Sequence, residues 1–142
     1  MHTVQQILRT KRGTLLSVSP DADVFDALAT MARHDVGALA VLDRGLLVGM
    51  FSERDYARKV ILQGKTSRDT PVSAIMTAAV LTVRPENTVQ DCMALMTANH
   101  IRHLPVVDDV AVIGMVSIGD VVKALLSHQE FVIEQLQHYI TA

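Results

Sequence analysis

The sequence predicts an α/β protein made of two β-α-β-β-α repeats that pack on each other, followed by a C-terminal helix. Three observations predict this fold. Between Val18 and Ile61 each residue can be laid on the one 65 further on, as far as Leu126, without a gap. The matches include Pro20/Pro85, Val24/Val89, Asp26/Asp91, Met31/Met96, Leu39/Leu104, Val41/Val106 and Asp43/Asp108. A self-match of that length at a fixed period outranks any local signal. Short apolar runs bounded by turn residues alternate with stretches of helical period. The strands are apolar at nearly every residue, so both sheet faces must be covered. A repeat of about 50 residues buries too little apolar surface to be secure alone.

The elements follow in order. Residues 1–14 are a lead-in, with Val4, Ile7 and Leu8 at helical spacing. Arg9-Thr10-Lys11-Arg12-Gly13 breaks that pattern and reads as a solvated basic turn, with a phosphate contact from Lys11 or Arg12 as the sharper alternative. Leu15–Val18 is a short strand ended by Pro20. Asp23 with Asp26 three residues on gives a capping-box-like helix start. Val24, Ala27, Leu28 and Met31 then form one apolar face of a helix that ends near His34-Asp35. Leu39–Leu42 and Leu46–Phe51 form a hairpin across the tight turn Asp43-Arg44-Gly45. Ser52 opens a helix carrying Tyr56, Val60 and Ile61. A polar, turn-rich stretch follows, with the linker at residues 65–71.

The plan then returns. Val72, Ile75 and Met76 answer Val4, Ile7 and Leu8 at an offset of 68, so the first half carries three extra residues before its first strand. Strand Val80–Val83, helix Val89–Ala98, strands Leu104–Val107 and Val112–Val116, and a helix from Ser117 to about Leu126 complete the second repeat. Thr88 and Asp91 take the places of Asp23 and Asp26. The expected boundaries are 1–64 for the first repeat with its lead-in, 72–127 for the second, and 128–142 for a separate final helix. Phe131, Val132, Leu136, Tyr139 and Ile140 give that helix an apolar stripe, which either packs on its own domain or helps to form a dimer.

The totals bound the function. The chain has 142 residues, 49% of them hydrophobic, and a net charge of −2 with both signs scattered. Such a composition excludes disorder for most of the chain and lacks the basic excess of a nucleic-acid surface. No apolar run reaches the roughly 18 residues of a membrane span, and the N-terminus lacks a signal-peptide layout. The one cysteine, Cys92, can form no internal disulfide and reads as a small core residue, which favours a reducing, cytoplasmic setting.

One motif appears at the end of each hairpin: Gly49-Met50-Phe51-Ser52-Glu53-Arg54-Asp55 and Gly114-Met115-Val116-Ser117-Ile118-Gly119-Asp120. It places a hydroxyl at a helix start and a carboxylate at the third helical position. The glycine allows close approach to the backbone. Free N–H groups and the helix dipole suit an anion such as phosphate, and the carboxylate suits the paired hydroxyls of a ribose. The same Ser-x-x-Asp spacing is also a capping box, which satisfies the helix's own N–H groups and needs no ligand.

The doubled plan, with this motif after each hairpin and Leu104-Pro105-Val106-Val107-Asp108 in the second half, resembles a tandem cystathionine-β-synthase (CBS) domain pair, or Bateman module, over essentially the whole chain. Ser52-Glu53-Arg54-Asp55-Tyr56-Ala57-Arg58-Lys59-Val60 and the ending Gln135-Leu136-x-His138-Tyr139-Ile140 are similar to the small bacterial stand-alone pairs. The resemblance implies two repeats about a pseudo-two-fold axis, with two clefts for adenosine compounds: AMP or NAD first, with ATP, ADP or S-adenosylmethionine as further candidates. It implies that Asp55 and Asp120 hold ribose hydroxyls and that Ser52 and Ser117 contact phosphate. Arg102, 18 residues before Asp120, would bind phosphate; its counterpart is Gly37, while Arg54 stands where the second motif has Gly119. Backbone at Gly37-Ala38 and Arg102-His103 would line the adenine, with Thr77 and Val80 at the edge.

The function that follows is a non-catalytic regulatory module that binds an adenosine nucleotide and signals to a protein effector by a conformational or dimer change, as a homodimer. The alternative is a constitutive dimerisation or docking module with no physiological nucleotide. An enzyme or metal site is the third class. His100 and His103 have H-x-x-H spacing, but no third ligand is evident, and neither a nucleophile–base pairing nor a Gly-rich phosphate loop is present.

Overall fold

The computed structural model describes residues 2–11 and 15–141, with the Thr141 side chain left aside. Arg12 and Gly13 of the basic turn lie outside the described residues. The chain divides into two compact units: residues 15–81 with 110–112, and residues 1–14, 82–109 and 113–142.

In the first of these, β1 (Ser17–Val18) pairs parallel with β2 (Ala38–Asp43), and β2 pairs antiparallel with β3 (Leu46–Ser52). Helix α2 (Val24–His34) begins at Asp23, whose carboxylate accepts the Asp26 N–H at 2.7 Å. It ends at Asp35, in the left-handed conformation at φ 53°. The β2–β3 turn is the two-residue pair Arg44-Gly45, both at positive φ, the geometry that matches strand twist in a tight hairpin. Helix α3 (Glu53–Tyr56) runs into a π-helical turn at Ala57–Ile61, where the Leu62 N–H reaches back five residues to the Ala57 carbonyl. The expected regular helix is thus widened over its second half. The short helix α4 (Val72–Ile75) also belongs to this unit. Its core gathers Val24, Ala27, Met31, Leu39, Val41 and Phe51 with Val60, Val72 and Ile75.

The other unit holds α1 (Val4–Thr10), α5 (Val89–Asn99), β4 (His103–Asp108), most of β5 (Ala111–Ser117) and α6 (Ile118–Thr141). Its core gathers Val83, Val89, Cys92, Met96, Leu104, Val106 and Val116 with Val121, Val4 and Ile7. The two cores therefore match at the 65-residue offset, Cys92 standing where the first has Ala27. The lead-in segments cross over: α1 packs with the second repeat and α4 with the first. Equivalent backbone bonds fasten them. Val4 N–H donates to the Asn87 carbonyl and Val72 N–H to the Ala22 carbonyl, both at 2.8 Å; Val89 N–H donates to His2, and Val24 N–H to Thr70. The spatial units thus cut across the boundary that the sequence repeats draw between 1–64 and 72–127.

Two expectations are corrected. The strand expected at Val80–Val83 is a single parallel bridge, Val83 to Val106. The Val83 N–H donates to the Pro105 carbonyl and the Val83 carbonyl accepts from the Val107 N–H, but the next ladder bond needs an N–H at residue 105. Proline has none; the first repeat has Ala40 there, paired with Ser17. The expected break before a separate final helix is also absent. Helix α6 runs unbroken for 24 residues. The polar run Ser127–Glu130 contains neither Gly nor Pro, and its residues continue a helix without strain.

Candidate functional site

Both motifs sit where a hairpin's second strand passes into a helix, and the glycine of each has a packing role. A Cβ on Gly49 would lie 2.6 Å from Met76 Sδ and 3.1 Å from the Thr77 carbonyl oxygen. One on Gly114 would lie 2.7 Å from Leu8 Cδ2. The close approach that the glycines permit is made by the lead-in segments of α4 and α1. Gly37 and Arg102 are equivalent through their backbones: the Gly37 carbonyl accepts the Glu53 N–H at 3.1 Å, and the Arg102 carbonyl accepts the Ile118 N–H at 2.8 Å.

In the first motif Ser52 and Asp55 form a reciprocal capping box. Ser52 Oγ accepts the Asp55 N–H at 3.2 Å, while Asp55 Oδ2 accepts from the Ser52 N–H and hydroxyl, both at 3.0 Å. Asp55 Oδ1 accepts from Thr77 Oγ1 at 3.2 Å and pairs with Lys59 Nζ at 3.0 Å. Asp55 is buried, at 8% exposure. Thr77 is held by paired backbone bonds with Met50. Ala38 is buried and pairs with Ser52 across the sheet. Arg54 is exposed on α3, and Val80, half-buried, has its N–H bonded to the Ala78 carbonyl. The structure thus joins Ser52, Asp55 and Thr77 in one hydrogen-bonded cluster.

In the second motif Asp120 Oδ2 accepts the Ser117 N–H at 2.9 Å, and Ser117 Oγ accepts the Asp120 N–H at 3.2 Å. Lys11 Nζ, from just beyond α1, donates to the same Oδ2 at 2.9 Å and to the Met115 carbonyl at 2.7 Å. Burial pushes the Asp120 carboxyl up, but the Ser117 N–H, the Lys11 ammonium and the Ser117 hydroxyl outweigh it and hold the group below its ordinary value. His103 is pushed down, first by burial and then by the charges of Lys11 and Arg102, against the pull of Asp120. Lys11, Arg102, His103, Ser117 and Asp120 are therefore electrostatic neighbours, with the Arg102 side chain exposed.

The two lysines were not among the residues expected at the motifs. Lys59 was legible, since it lies four residues after Asp55 on one helix. Lys11 pairs across 109 residues and leaves no local signal. An open groove of about 480 Å³ lies along α6, lined by Val122, Lys123, Leu126, Ser127 and Glu130 among others, and its lining includes neither aspartate. Among the described residues no group of three His, Cys, Asp or Glu side chains gathers as a metal site, and no helix is long and apolar enough to cross a membrane.

Comparison with known proteins adds to this geometry. The CBS domain family model matches residues 4–62 and again 72–127. The mitochondrial CBS domain-containing protein CBSX3 of Arabidopsis thaliana is 43% identical over 97% of this chain and 71% of its own length. A solved protein with CBS domains from Burkholderia ambifaria MC40-6 is 46% identical, with a TM-score of 0.86 over 89% of this chain and 96% of that one. The CBS domain pair of protein MJ0100, solved in complex with 5′-methylthioadenosine and S-adenosyl-L-methionine, is 25% identical, with a TM-score of 0.80 over 90% of this chain and 98% of that one.

Proposed function

The chain belongs to the CBS-domain family and carries two of its repeats; from that premise we propose that it is a non-catalytic regulatory module that binds an adenosine nucleotide, of the AMP, NAD or ATP type, through its Ser-x-x-Asp motifs. The observation that carries this reading is the second motif. A carboxylate, a hydroxyl and a helix start stand beside the Lys11 cation, with the Arg102 charge felt at the neighbouring His103, in a fold whose solved relative MJ0100 holds two adenosine compounds. Carboxylate for ribose and cations for phosphate are the chemistry that a nucleotide needs. Binding shifts the module toward the arrangement with the higher affinity, and a protein effector reads the change.

We extend the proposal to self-association through α6. Val122, Leu126, Phe131, Ile133, Leu136 and Ile140 stand more than two-fifths exposed on this helix, and a surface of that kind marks an interaction site. An antiparallel two-fold pairing centred near Leu126 would set Lys123 of each copy opposite Glu130 of the other, a self-complementary arrangement. We assign a reducing, cytoplasmic setting: the Cys92 thiol is fully buried and pushed up to about 11 by burial and by the nearby Asp91 charge, so it remains an inert thiol.

The test is thermal unfolding of nucleotide-stripped protein with AMP, NAD, ATP and S-adenosylmethionine. A ligand at about 100 times its Kd adds about 2.7 kcal/mol of stability. A shift with one of them, lost when a motif aspartate becomes alanine, supports the sensor. No shift with any leaves a constitutive docking module.

A further inference from the structure

We propose that α6 is one strand of a two-stranded antiparallel coiled coil, completed by α6 of a second copy of this chain. The proposal rests on the self-association reading and assigns that pairing its seam, direction and register.

Helix α6 outruns its own core. That core takes Ile118, Val121, Ala124 and Leu125 from it and, among the described residues, nothing beyond. Past Leu125, His128 sets its ring edge-on to His2, with 6.0 Å between centroids. Isolated helices shorter than about 12–15 residues are marginal in water, so the distal half needs a cover. The sequence pattern says of what kind. Gly119, Leu126, Ile133 and Ile140 recur every seven residues, and Val122, Gln129 and Leu136 each follow three residues behind a member of that row. These are the a and d rows of a heptad repeat, sustained from 119 to 140, with one polar residue, Gln129, in the seam. A row of strict seven-residue period drifts around a lone helix and stays on one line only in a left-handed supercoil. Val122, Leu126, Ile133, Leu136 and Ile140 of the seam are all exposed. Phe131 is exposed too, but falls on the outer face, opposite the seam.

The seam also carries a ready hole. The groove of about 480 Å³ is lined by Gly119, Val122 and Leu126, with Lys123 and Glu130 beside them. A Cβ on Gly119 would meet Ser117 Oγ at 3.6 Å, an ordinary contact. No close packing within the chain requires this glycine, unlike Gly49 and Gly114, and the space it leaves suits a knob from another chain. Charge then sets the direction. Lys123 and Glu130 flank the seam at the e position. In an antiparallel pair e faces e, so Lys123 of each copy meets Glu130 of the other, and the arrangement closes as a two-fold. The layers become Gly119 with Leu136, Val122 with Ile133 and Leu126 with Gln129, and Leu136 of the second copy enters the hole over Gly119. In a parallel pair the two charges would instead face Ile118 and Leu125, which are apolar and packed on their own core. One helix supplies knob and hole, cation and anion, so the partner it fits is itself.

Sedimentation equilibrium of the full chain tests this. Wild type should be dimeric. Ile133→Gln removes an apolar knob from each copy and should weaken the dimer about hundredfold or more. Phe131→Gln, off the seam, should change it by about twofold at most. Lys123→Glu sets like charges opposite each other and should weaken it about tenfold; adding Glu130→Lys should restore it to within about threefold of wild type. All these side chains are exposed in the single chain, so the changes leave its core intact. A charge reversal that the second change does not rescue would overturn the direction and register, and would leave self-association through α6 standing. An Ile133→Gln dimer as tight as wild type would move the interface to another face. A monomeric wild type would give the seam to a different protein. Either of these last two results removes the α6 self-association reading itself, and this proposal with it.

Discussion

Set side by side, the two motifs share a backbone and differ in how the carboxylate is neutralised. Each aspartate caps its own helix start, and each is met by a lysine ammonium at 2.9–3.0 Å. The lysines occupy unrelated positions. Lys59 lies one turn further along the same helix, where the second repeat has Ala124; Lys11 comes from the crossed-over lead-in, where the other lead-in has Ala79. The repeat preserved the need for a counter-charge and not the residue that supplies it. The consequence is a difference in depth. Asp55 is enclosed by four donors on one unit's own polar groups, whereas Asp120 is tied by fewer bonds and stays more open.

The largest effect should come from breaking the enclosed carboxylate. Asp55→Ala strands the Ser52 N–H, the Thr77 hydroxyl and the Lys59 ammonium, and should cost about 3 kcal/mol, less than a fully buried pair because Lys59 regains water. Asp120→Ala should cost about 1 kcal/mol, since its partners are already half-solvated. Urea unfolding of both variants measures the gap. Equal costs would mean that the extra bonds on Asp55 carry no stability.

The glycines give the next contrast. At Gly49 an added methyl meets both Met76 and the Thr77 carbonyl, which Met50 holds in place at 2.9 Å. At Gly114 its three nearest neighbours are all atoms of the Leu8 side chain. Gly49→Ala should therefore cost about 2 kcal/mol and Gly114→Ala about 1 kcal/mol, within the range for overpacking. Adding Leu8→Ala to Gly114→Ala should cost less than the sum of the two single changes, because the clash is removed with the side chain. Strict additivity would show that Leu8 already moves aside.

Much of this was legible in the chain. The offset of 65 aligned the cores residue by residue, so Val24/Val89, Met31/Met96 and Leu39/Leu104 are buried in pairs. It also carried the left-handed positions: Asp35 with His100 and Arg44 with Asp109, all at φ near 50–56°. The spacing of Ser52 and Asp55 announced the capping box. Other features had no local signature. A four-residue apolar helix does not encode which of two similar cores it joins, so the crossing of α1 and α4 was hidden. The Lys11–Asp120 pair spans the chain, and only folding brings it together. The shortened strand at Val83 was readable in principle, from Pro105 standing where the first repeat has Ala40.

The smallest effect isolates the open carboxylate. Lys11 is 38% exposed, so its pairing with Asp120 is screened and should contribute about 1 kcal/mol or less. Its pH dependence is nevertheless specific. The folded Asp120 carboxyl titrates below its ordinary value of 3.8. The pair's contribution is therefore complete above that value and is lost as pH falls through the lower folded one. Urea unfolding of wild type and Lys11→Met at about pH 7 should differ by that small amount, and the difference should shrink only as pH falls through the lowered pKa of the folded Asp120. A difference that persists in acid would mean that Lys11 stabilises through the Met115 carbonyl alone, which does not titrate. The result would leave Asp120 less neutralised than its geometry indicates, and would make the contrast with Asp55 one of burial only.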